Sequence, residues 1–197
     1  MIQLLRVDHR LLHGQVAVSW VQGLGSDCIF CVGDKVANDP VWKTTLKMGK
    51  PANVKLVIKD MEHAIEAINS GVTDKYKMII CVASIAEAKQ LVDGCPQITS
   101  INLGNTKSKD EQRPDARKIS RQIFVTAAEE EDIRELVGRG VEVEIRALAD
   151  APKVDALRAL SVGTTGRHVR RRPYPWAYRI NALPVTPIYR SPRVRAR

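Results

Sequence analysis

The chain has 197 residues, 44% of them hydrophobic, which suits one domain of ordinary size with a buried core. No apolar run reaches the ~18 residues of a membrane span, and no basic start followed by an apolar stretch marks a secretory signal. The net charge of +9 is uneven: residues 161–197 hold nine arginines and no Lys, Asp or Glu, so 1–160 is left with 22 basic and 22 acidic residues. A whole-chain argument for nucleic-acid binding therefore fails.

In chain order, the apolar run 2–5 predicts a first strand, and 16–21 the first turns of a helix that runs to about Gly23 with Val16, Trp20 and Val21 on its apolar face. Residues 28–32 predict a second, wholly apolar strand, as in a sheet buried on both faces. Residues 33–40 read as a loop, and Asp39-Pro40 opens a helix carrying Val41, Leu46 and Met48. A third strand follows at 54–58. Asp60 caps a helix at 61–70. The fourth strand is 76–82, and Ser84 with Glu87 forms a capping box for a helix at 85–92. A fifth strand spans 98–103. The charged segment 104–117 reads as an exposed loop. Residues 119–125 read as a short edge strand, and Thr126 caps an acidic helix at 127–139. The alternation at 141–145 predicts a final strand with one face wet, and 154–160 a last short helix. Strands alternating with helices at this spacing predict an α/β fold: an open, mostly parallel twisted sheet of about seven strands with helices on both faces.

The four cysteines, Cys28, Cys31, Cys81 and Cys95, read as reduced core residues. Cys28 and Cys31 lie inside a strand, whereas a redox C-x-x-C belongs at a helix start and zinc needs further ligands.

The chemistry concentrates between the first strand and the first helix, in Arg6-Val-Asp8-His9-Arg10-Leu-Leu-His13-Gly14-Gln15-Val16. Such a corner sits at the carboxyl end of an α/β sheet, where ligands bind. Gly14 permits close backbone approach. The first amides of the helix lack internal partners, and with the positive dipole end they make an anion site. Guanidinium forks at Arg6 and Arg10 suit phosphate. Positive neighbours favour a neutral, nucleophilic imidazole, and Asp8 would fix a ring tautomer or orient Arg10. The set describes a histidine that accepts a phosphoryl group and passes it on. A structural corner, with histidines bonded to backbone, is the other reading of the same residues.

This run resembles the signature of the IIB component of the mannose/fructose/sorbose-type sugar phosphotransferase system. The likeness continues through Ala37-Asn38-Asp39, Pro51, Asn102-Leu103-Gly104 and Gly140-Val141-Glu142-Val143, and covers roughly residues 1–158. It implies that His13, not His9, accepts the phosphoryl group from a IIA partner's phosphohistidine. His13 then donates it to a sugar carried by the IIC and IID membrane proteins. It implies phosphate contacts from Arg10 and the backbone at Gly14 and Gln15, with Arg6 and Asp8 in support. Ser84, at another strand-to-helix corner, would face the phosphate or simply cap its helix. The region 34–39 and the loop after 104 would border the site, where Lys107, Lys109 and Arg113 would draw in an acidic partner or a phosphate, or stand solvated. The implied protein is cytoplasmic, docked on the inner face of the membrane through its permease, and a homo-oligomer is compatible with it. It needs no cofactor and no metal.

The sequence has neither a G-x-x-x-x-G-K-[ST] phosphate loop nor a G-x-G-x-x-G, which disfavours a nucleotide-binding protein. The competing reading is a regulatory or sugar-phosphate-binding module that kept the anion corner and lost transfer. The domain is expected at 1–160. The segment 161–197 holds half of the chain's ten prolines and has no counterpart in the family. It reads as a disordered basic extension that touches anionic lipid heads or a partner, as a nucleic-acid-binding tail, or as a non-native end without function, and is assigned no site.

Overall fold

The computed structural model describes residues 1–110 and 112–162. The expectations for the segment beyond 162 lie outside the described residues. Among the described residues nine strands and seven helices follow one another: β1 (Ile2–Asp8), α1 (Gly14–Leu24), β2 (Cys28–Val32), α2 (Asp34–Asn38), α3 (Pro40–Gly49), β3 (Lys55–Lys59), α4 (Met61–Asn69) and β4 (Met78–Val82) come first. Then come α5 (Ile85–Gly94), β5 (Ser100–Asn105), β6 (Arg117–Lys118), β7 (Phe124–Val125), α6 (Ala127–Gly138), β8 (Glu142–Ile145), β9 (Val154–Asp155) and α7 (Ala156–Val162).

The main sheet has seven strands in the order β3-β2-β4-β1-β5-β8-β9, parallel throughout except for β9, which runs against β8. β1 is central, between β4 and β5. Every residue of β2 and β4 is buried, as their unbroken apolar runs require when both faces are covered. Period-two alternation divides the core. Leu5, Val7, Phe30 and Ile80 pack toward α4, α5, α6 and α7, while Leu4, Ile29, Cys31 and Ile79 pack toward Trp20 of α1 and Leu46 of α3. Burying a side chain such as Leu46 contributes about 1.5–3 kcal/mol. All four cysteines are buried and free.

The expected fold class holds, with differences in detail. β1 runs three residues past the expected stop, which carries Arg6 and Asp8 into the sheet. The expected loop at 33–40 contains the short helix α2. On α3, Leu46 is buried, but Val41 and Met48 are exposed, so its apolar face is narrower than expected. Residues 119–125 do not form an edge strand. Their end pairs with β6 in a separate two-stranded hairpin. The seventh strand of the main sheet is instead β9, from the start of the expected last helix. β8 is therefore not the last strand, and Glu144 on it is only 5% exposed rather than wet.

Candidate functional site

β1 ends at Asp8 and α1 starts at Gly14, so the corner sits at the carboxyl end of the central strand. Its turn is tight: the Leu11 amide donates to the Asp8 carbonyl at 2.7 Å and the Leu12 amide to that of Arg10 at 2.8 Å. Leu11 takes the left-handed conformation at φ 61°, which costs a side-chain-bearing residue about 1–3 kcal/mol. Burial holds it there, because Leu11 and Leu12 both insert into the core beneath α1. The loop is thus stapled inward at 11–12, which leaves Arg10 and His13 exposed on either side.

His13 is the N-cap residue of α1, and its side chain makes no capping bond. The four other described helices of nine or more residues carry a side-chain cap, from Asp39, Asp60, Ser84 and Thr126. The first turn of α1 holds no acidic residue either. The Val16 and Ala17 amides turn back to the His13 carbonyl, at 2.9 and 3.1 Å. Those of Gly14 and Gln15 have no acceptor among the described residues. A Cβ built on Gly14 meets nothing within 4 Å, so the space in front of the helix end is open. An exposed imidazole beside unclaimed amides and a positive dipole end is an arrangement for an anion.

Asp8 is 2% exposed and its two oxygens divide the work. Oδ2 accepts from Arg6 Nη2 at 3.1 Å. Oδ1 accepts from the Arg10 amide at 3.2 Å and stands 3.9 Å from Arg10 Nε. The Arg10 guanidinium makes no hydrogen bond among the described residues, so its donors are available to a ligand.

Arg6 lies deeper than its expected role as an open phosphate fork. It is 4% exposed; Nη1 donates to Asn102 Oδ1 at 2.6 Å and to the Arg146 carbonyl at 3.2 Å. Its guanidinium also lies 5.5 Å from the centre of the Trp20 ring, and that of Arg146 lies 4.7 Å from it. Asn102, Glu144, Arg146 and Trp20 complete a polar core that sequence reasoning missed. The available signals were an Asn inside an apolar strand and a Glu next but one to an Arg.

The structure separates the two histidines. His9 is half-buried, donates its amide to the Asn105 carbonyl at 3.0 Å, and has a buried Nδ1 without a hydrogen-bond partner. Burial lowers its pKa below 6.5; Arg10 and Lys107 act in the same direction, Asp8 and the Asn105 backbone against. Ser84 is half-buried and accepts from the Glu87 amide at 3.2 Å, while Glu87 bonds back to complete the capping box. Burial raises the Glu87 pKa. Lys107 and Lys109 are exposed, but Arg113 is not free: it binds Glu129 and the Lys107 carbonyl.

A family model described as the sorbose subfamily IIB component of the phosphotransferase system matches residues 2–166. The sorbose-specific EIIB component of Lacticaseibacillus casei is 31% identical over 156 residues, 79% of this chain and 93% of that protein. The mannose-specific EIIAB component of Escherichia coli is 29% identical over 160 residues, 81% of this chain; the chain spans about half, 48%, of that relative's length. Among solved structures, the IIBSor domain of the sorbose permease from Klebsiella pneumoniae shares the fold. Its TM-score is 0.76 at 24% identity, over 82% of this chain and 97% of that one. An N-acetyl-galactosamine IIB component from Streptococcus pyogenes has a TM-score of 0.71 at 27% identity, over 80% and 96% of the two chains.

Proposed function

This chain belongs to the sorbose-subfamily IIB components of the sugar phosphotransferase system, and from that premise we propose that it is a phosphoryl carrier acting through His13. The observation that supports this reading most is the uncapped, open end of α1 with an exposed imidazole on it. The donor is the phosphohistidine of a IIA partner. A ring nitrogen of His13 attacks its phosphorus; the new N–P bond forms as the old one breaks, and the electron pair leaves with the donor imidazole. The transferring group spreads charge over three equatorial oxygens, so catalysis is positioning plus positive donors. Arg10 and the amides of Gly14 and Gln15 supply those donors. Asp8 orients Arg10, and Arg6 fixes Asp8. The Ser84 hydroxyl, which accepts in its cap, retains its own proton to donate to the phosphate.

In the second transfer a sugar hydroxyl attacks the phosphorus on His13. The N–P bond breaks, its electron pair returns to the imidazole, and the hydroxyl proton leaves to a base of the membrane partner. The sugar arrives through the IIC and IID components, which hold the carrier at the cytoplasmic face. Among the described residues no helix is long and apolar enough to cross a membrane. Residues 1–160 form the carrier domain in this reading, and the basic segment after it takes no part in transfer.

The test is incubation with phosphorylated IIA donors, followed by intact-mass analysis and site mapping at neutral to basic pH. Acid-labile phosphate on His13 is the expected result. A folded protein that several donors fail to label would instead be a binding module.

A further inference from the structure

Strand register aligns five side chains across the sheet in one row. Cys31 on β2 pairs with Cys81 on β4, Cys81 with Arg6 on β1, Arg6 with Asn102 on β5, and Asn102 with Glu144 on β8. The row is apolar on one side of Arg6 and polar on the other. Asn102 Nδ2 donates to Glu144 Oε1 at 3.2 Å and to the Arg146 carbonyl at 3.1 Å. Arg146 closes on the same oxygen, Nη2 at 2.9 Å and Nε at 3.2 Å. Arg6, Asp8, Glu144 and Arg146 thus form a neutral, mostly buried quartet, and the nearest further cation, Lys153, is 3.6 Å from Glu144 Oε2.

We propose that Glu144 is a positioning residue for the His13 loop, acting through Asn102, Arg146 and Arg6 on Asp8 and thereby on Arg10. The charge arithmetic supplies the reason. With Glu144 ionised, Arg146 is satisfied locally and Arg6 alone claims Asp8 Oδ2, so Oδ1 stays free for the Arg10 amide. Remove the Glu144 charge and two guanidiniums share one buried carboxylate. Asp8 is then drawn into the sheet and Arg10 loses its tether. The same quartet reaches the other flank of the loop. Trp20, beneath both guanidiniums, donates Nε1 to the Ala147 carbonyl at 3.2 Å, and Arg146 Nη1 donates to that of Ala149 at 3.0 Å. The chain after β8 therefore clamps α1, and the loop is braced at both ends.

The inference rests on the phosphoryl transfer proposed above, and its test keeps the two apart. Glu144→Gln is made in the full chain, alone and combined with Arg10→Ala, and His13 labelling by phospho-IIA is followed under saturating and limiting donor. The expected result is a fall in kcat of about ten- to a hundred-fold, the cost of a misplaced catalytic group, with KM for the donor unchanged. In the Arg10→Ala background the same change has little further effect. Additive losses in the double variant, or an unchanged kcat in the folded single variant, would overturn the proposal. If Glu144→Gln does not fold, it is combined with Arg146→Gln, which leaves Arg6 as the one guanidinium beside Asp8: a kcat close to wild type is the expected result, and a fall of roughly ten-fold or more in that folded variant would overturn the charge argument. A wild-type chain that takes no label overturns the transfer reading itself, and the positioning role with it.

Discussion

The Arg6 guanidinium occupies the space that a side chain on Gly104 would fill: a Cβ built there would stand 2.0 Å from Arg6 Cζ. The two residues lie on neighbouring strands, and Gly104 is required not for backbone freedom but because a buried cation lies flat against it. Gly104→Ala must push the guanidinium off Asn102 and Asp8. Its expected cost is about 1–3 kcal/mol, the range for overpacking a core, read from the urea midpoint, together with slower His13 labelling.

On the proposed transfer, His13→Ala is expected to abolish phosphoryl acceptance and His9→Ala to retain it. His13 is exposed at the helix end and His9 is wedged against Asn105. Intact mass after incubation with phospho-IIA decides between them, and the reverse result would move the acceptor to His9.

His9 is expected to make the fold acid-sensitive. Its pKa is lowered in the folded chain, so below the ordinary value of 6.5 the unfolded chain binds more protons than the folded one. Stability is therefore complete above pH 6.5 and falls as pH drops toward the lowered value. His9→Gln should flatten that part of the curve. The check is the wild-type minus variant difference in urea midpoints, at pH 7.5 and across the acid side.

Ser84→Ala removes a cap from α5, and its expected stability cost is about 1 kcal/mol. If the hydroxyl also donates to the phosphate, labelling slows by about ten- to a hundred-fold, the worth of one hydrogen bond to a charged group. A stability loss with unchanged labelling assigns Ser84 to capping alone.

Truncation after Gly166, where the family match ends, should leave the labelling rate within about two-fold of the full chain, since no transfer role is assigned beyond it. Loss of labelling in the truncated, folded protein would refute that assignment.

Local patterns carried most of the fold. The apolar runs of β2 and β4, the capping boxes of α5 and α6 and the proline start of α3 are properties of neighbouring residues, so they were legible before any tertiary contact was known. The corner bearing His13 was legible for the same reason, since its charges lie within one short run. The β6–β7 hairpin and β9 were not, because two-residue strands have no period to read. Nor was the exposure of Val41 and Met48, which depends on where α3 lies on the sheet.

What the chain order alone determined is the succession of the longer strands and helices and the crowded corner at the end of the first strand. What only the tertiary structure decided is which distant residues support that corner. Arg6 meets Asn102 and Gly104 because β5 is placed beside β1, and Glu144 joins them because β8 pairs with β5 in register. In an alternating strand Glu144 looks like any solvent-facing carboxylate. It is buried because the neighbouring strand presents an amide and the following turn presents Arg146, and burial of a charge is tolerable only where such partners already stand.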